Sequence, residues 1–113
     1  MSKSTAHGLP KSVKVGPLTY RIEEYGHNPA AEDRNFGRTD HLSQLIRVAT
    51  HHGEERMRET FLHEMLHACR HVFDSAGEHV NSEHAEENFV RSAAYGLAAV
   101  LADNPDVRRF LLK

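Results

Sequence analysis

With Cys69 as its only cysteine, the chain has no internal disulfide. No apolar run approaches the roughly 20 residues that a membrane-spanning helix needs, so no membrane partner is implied. Residues 1–14 carry lysines but not the apolar stretch of a secretory signal. A reducing, cytoplasmic setting is the expectation. Positive charge is also short: 14 Lys and Arg stand against 16 Asp and Glu, for a net charge of −2 and a pI near 6.5. That leaves no basic field to hold a phosphate backbone, so no nucleic acid partner is implied.

What is present is a globular mixture, 39% hydrophobic and 27% charged over 113 residues, enough for one domain with a modest core. Residues 1–12, poor in apolar side chains, read as a flexible tail, and 13–113 as a single domain. Val13, Val15, Leu18, Tyr20 and Ile22 alternate with polar residues around Gly16-Pro17, which predicts two short strands and a tight turn. Residues 23–40, with few large hydrophobes, read as loop. Leu45, Ile46 and Val48 predict a third strand before the break at His51-His52-Gly53.

After Glu54 the apolar residues recur at helical spacing, from Phe61 to Phe73, and predict a helix of about 20 residues. A second helix opens at Ser82 and stops before Pro105, and Asn104-Pro105 cap and start a short third. Strands first and helices after argue an α+β fold: a small antiparallel sheet of about three strands, then two long helices and a short one.

The chain is rich in one residue type, with 10 histidines, and His63, His67, His71 and His79 crowd one stretch. His63-Glu64-Met65-Leu66-His67 has the form HExxH. At about 100° per residue, His63 and His67 lie about 40° apart on one face of the helix, one turn above the other, so two imidazoles converge on one ion. The large apolar residues fall on the opposite arc, roughly 160° to 300° from His63. Glu64, about 100° around, is placed to contact water at the metal rather than to ligate it. Zinc held by three protein ligands lowers the pKa of its water to about 7, and Glu64 is the base that takes the proton as water attacks a carbonyl.

A third ligand is still needed. Arg70 and Phe73 stand where a metzincin would carry Gly and His, which excludes that class. His71 lies one turn further along the stripe. Glu83, Glu86 and Glu87 fall in the first turns of the next helix, with position 86 nearest the centre of its large apolar stripe and the others to either side.

The run Arg58-Glu59-Thr60-Phe61-Leu62-His63-Glu64-Met65-Leu66-His67, followed by Glu87-Asn88-Phe89-Val90 and a helix, resembles the ImmA/IrrE-like metallopeptidases, most nearly their short phage and prophage versions. Over roughly residues 13–112 the resemblance implies a minimal gluzincin-type fold, zinc as cofactor, and a Glu from the second helix as third ligand. In the larger relatives that Glu precedes small or apolar residues at set places. Choosing Glu87 puts Val90, Ala93, Ala94 and Leu97 there, whereas Glu86 puts Ser92 and Gly96 there. The resemblance therefore points to His63, His67 and Glu87 as metal ligands. No helix-turn-helix accompanies them here, unlike in the larger relatives.

Two functions follow as expectations. The first is a zinc metallo-endopeptidase acting on a protein or peptide, with the Leu45 to Val48 strand as an edge to which extended substrate adds. The second is an interaction module with a structural or vestigial zinc and no proteolysis; the presence of Glu64 favours the first.

Overall fold

The computed structural model describes residues 4–26, 36–73 and 82–112, the side chains of 82–86 excepted. Its elements are β1 (Ser12–Val15), β2 (Leu18–Tyr25), β3 (Gly37–Asp40), β4 (Leu45–Ala49), α1 (Glu54–Phe73), α2 (Ser82–Asp103) and α3 (Pro105–Leu111). The expected α+β class is what the chain adopts, with four strands in the order β1-β2-β4-β3.

The sheet is mixed rather than antiparallel. β1 pairs antiparallel with β2 through a turn at Gly16, whose φ of 59° is one that glycine adopts without steric cost. β2 then pairs parallel with β4, Ile22 opposite Ile46 and Glu24 opposite Val48. A parallel pair needs a long crossover. Here the crossover contains β3, which turns at residues 41–44 and pairs antiparallel with β4. The strand Leu45–Ala49 is therefore interior, not an edge. β3 lay inside the stretch expected as loop because Gly-Arg-Thr-Asp has no apolar residue.

Alternate side chains of β1, β2 and β4 enter the core: Val13, Val15, Tyr20, Ile22, Ile46 and Val48. From α1 come Met57, Phe61, Met65, Ala68 and Cys69, all buried. Full burial of a side chain such as Phe61 or Met65 stabilises by about 1.5–3 kcal/mol. Glu54 and Glu55 in the first turn of α1, with Arg70 and His71 in its last, complement the helix dipole.

Two expectations are corrected at the ends of the fold. Residues 4–12 are not a loose tail: Leu9 has no exposed surface, and Ser4 bridges Pro10. Glu24 holds this segment, accepting from the Thr5 hydroxyl and from the His7 backbone N–H at 2.8 Å. Asn104 does not cap α3 with its side chain. Instead its carboxamide spans to β1, donating to the Lys14 carbonyl at 2.8 Å and accepting from the Lys14 N–H at 2.9 Å. A side chain thus occupies backbone groups on the outer edge of β1.

Candidate metal centre

α1 crosses the sheet at β3 and β4, and its length divides into three flanks. One is the core stripe. A second packs on β3, where a Cβ at Gly37 would stand 2.6 Å from Thr60 Cγ2 and 3.0 Å from Glu64 Cγ. Only a residue without a side chain lets strand and helix approach so closely. The third flank meets α2, where a Cβ at Gly96 would stand 2.4 Å from Cys69 Cβ. Between the β3 and α2 flanks none of the described elements packs on the helix, and His63 and His67 stand there, both exposed.

Their rings converge as the spacing requires. His63 Nε2 and His67 Nε2 are 3.2 Å apart. Two nitrogens bound to one tetrahedral zinc at 2.0–2.1 Å are separated by about 3.3 Å, so the pair fits two positions of such a site.

Glu64 differs from the expected polar stripe, because β3 covers its flank and only 7% of the residue is exposed. Thr39 supplies the polar partner that a buried carboxylate requires, its hydroxyl donating to Glu64 Oε1 at 2.7 Å. The other oxygen, Oε2, lies 3.9 Å from His63 Nε2. One carboxylate oxygen is held by the strand, and the other sits beside the histidine pair.

Glu87 is not brought to that pair. Its side chain is 68% exposed, and its carboxylate lies 3.7 Å from Arg91. Among the described residues no three His, Cys, Asp or Glu side chains form a metal-holding group. The face of α2 that packs inward carries Ser92, Gly96 and Val100, with Leu97 partly buried against the core, while Val90 and Tyr95 stand 56% and 68% exposed. Small residues win that face because the approach at Cys69 leaves no room for larger ones. Position 87 lies roughly opposite the packed face, and about 13 Å of helix rise separates it from Gly96. The side chains of Glu83 and Glu86 lie outside the described residues.

His71 does not join His63 and His67 either. Eight residues from His63, about 12 Å along the helix, it stacks instead on His41 of the β3–β4 turn, centroids 4.1 Å apart and planes 10° apart. His41 Nδ1 is 3.0 Å from the hydroxyl of the fully buried Tyr20. Burial, then the neighbouring charges of His71 and His67, hold His41 below the ordinary imidazole range, with Asp40 acting against them. Tyr20 is raised by burial and so keeps its proton.

No protein-family model, no curated protein and no solved structure matches the chain. Among the residues missed in the sequence, Thr39 and Gly37 gave no signal, since neither belongs to a metal or acid-base pattern. His41 was visible only as one of many histidines. No helix among the described residues is long and apolar enough to cross a membrane.

Proposed function

We propose that this protein is a zinc-dependent endopeptidase in which His63 and His67 hold the metal and Glu64 is the general base. The observation that carries the reading is the arrangement of three side chains on one helix: two Nε2 atoms 3.2 Å apart, and beside them a carboxylate whose far oxygen is tied to Thr39. Bound by these imidazoles, zinc would supply a Lewis acid that polarises a carbonyl and acidifies water.

The chain's own part follows from Glu64. Oε1 is held, so Oε2 is the oxygen free to take a proton from water as the water oxygen attacks the peptide carbonyl carbon. The same carboxyl then gives that proton to the departing amine as the C–N bond breaks. Fixing one oxygen orients the other and lowers the reorganisation the step requires. A structural zinc site has no use for a base so placed, which favours the enzyme over an interaction module.

The third ligand in this reading is a carboxylate from the first turns of α2. The buried register of that helix, Ser92 and Gly96, is the one that goes with Glu86, so Glu86 replaces Glu87 as the choice. Extended substrate adds to β3 rather than to the interior strand, because Asn104 already occupies backbone groups of β1, the other edge.

The test is hydrolysis of fluorogenic casein by zinc-loaded protein. Chelation should abolish cleavage and zinc restore it, while Glu64→Gln should keep zinc and cleave nothing. Cleavage by Glu64→Gln at the wild-type rate would remove the role assigned to Glu64.

A further inference from the structure

The sheet face turned away from the helices is charged in a way that the fold itself does not require. Arg38 of β3 stands directly across from Arg47 of β4. Like charges opposite one another across a strand pair are destabilising. The nearby carboxylate of Glu23 is shared, 3.4 Å from Arg47 and 3.6 Å from Arg21. Beside the arginine pair a hollow of about 610 Å³ opens, bounded by Arg38, Asp40, Leu42, Leu45 and Arg47 among others. Two guanidinium groups and the leucines Leu42 and Leu45 line it, and it lies against the edge strand.

We propose that the peptide laid along β3 is selected by charge, with an acidic side chain read by Arg38 and Arg47. The inference rests on β3 as the substrate edge. Residues paired across strands send their side chains to the same face, and neighbours in sequence send theirs to opposite faces. A peptide residue opposite Thr39 therefore faces α1 and Glu64, where the chemistry is placed. Its neighbour, opposite Arg38, faces outward over the hollow. The preferred substrate carries Asp or Glu immediately beside the residue that faces α1. Two places further along the same face Asp40 holds the turn instead, its carboxylate accepting from the Leu42 and Ser43 backbone N–H groups at 3.0 and 3.3 Å.

The occupant is thus an extended peptide segment whose acidic side chain stands over Arg38 and Arg47.

Fluorescence anisotropy tests this with labelled ten-residue peptides differing only in a central Glu, Ala or Lys, at low salt. The protein is the full-length Glu64→Gln chain with zinc, so that bound peptide is not consumed. The Glu peptide should bind about fivefold more tightly than the Lys peptide, the span of one favourable cross-strand pair. Arg38→Glu should reverse that order, and Arg21→Glu, two strands in from the edge, should leave it unchanged. Equal binding of all peptides, no binding of any, or a preference that survives Arg38→Glu would overturn the inference. If the preference is present but wild-type protein cleaves none of the peptides, the edge selects charge as argued and the peptidase reading fails separately.

Discussion

The Thr39 hydroxyl donates to Glu64 Oε1 across 2.7 Å, tying an edge strand to the helix that carries the histidine pair. Glu64 is buried, and this bond decides which of its oxygens is free. Thr39→Val removes the donor and keeps the shape. Leaving a buried carboxylate oxygen unpaired costs about 1–3 kcal/mol. The expected outcome is a lower denaturation midpoint and a kcat reduced by roughly tenfold, with zinc affinity intact. Zinc titration beside steady-state kinetics measures both. A variant that loses zinc and activity together would place Thr39 in the metal's support, not the base's.

Two glycines set the distances between α1 and its neighbours. In Gly96→Ala the new Cβ meets Cys69 Cβ at 2.4 Å and Cα at 3.2 Å, atoms of the helix itself that cannot rotate away. In Gly37→Ala it meets Thr60 Cγ2 at 2.6 Å and the Arg47 carbonyl oxygen at 2.9 Å. Each substitution should destabilise by about 1–3 kcal/mol in urea denaturation. Gly37→Ala should also lower activity, because it pushes β3 away from Glu64. An unchanged midpoint for Gly96→Ala would mean that α1 and α2 are not in such close contact.

Burial pushes the Cys69 thiol up from the ordinary 9.0 to about 11. The folded value exceeds the unfolded one, so the fold favours the protonated thiol. That contribution is complete below about pH 9 and is lost as pH rises through about 11. Tyr20, raised first by burial and then by the charge of Cys69, acts in the same sense. Stability should therefore fall on the alkaline side, and Cys69→Ala should flatten that fall. Denaturation midpoints of both proteins from pH 8 to 11 check it; identical alkaline limbs would show that Cys69 does not carry the effect.

Much of this fold is legible in the sequence because periodicity and punctuation agree. The apolar spacing of α1, the Ser82 start of α2 and the stop before Pro105 all correspond to observed elements. β3 was not legible, since Gly37 and Thr39 face a helix and Arg38 and Asp40 face outward, leaving no apolar alternation to detect. The same blind spot hid the burial of Glu64, because a helical wheel shows what shares a face with His63 but not which strand covers that face. On α2, Leu97 and Val100 of the expected apolar stripe do meet the core, but close packing at Cys69 shifts the buried face so that it also takes in Ser92 and Gly96. That shift is what favours Glu86 over Glu87 in the proposed ligand set. The convergence of His63 and His67, by contrast, follows from helix geometry alone, and the structure has it.

The central claim is that His63 and His67 together hold zinc, and calorimetric zinc titration of metal-stripped, folded protein tests it most directly. Wild type should bind one zinc, and His63→Ala and His67→Ala should each weaken binding by orders of magnitude, since each removes one of three protein ligands. Glu86→Ala should weaken it likewise, whereas Glu64→Gln, which loses only the base, and Glu87→Ala, whose carboxylate pairs with Arg91, should bind as wild type does. Wild-type affinity in His63→Ala or His67→Ala would contradict the account.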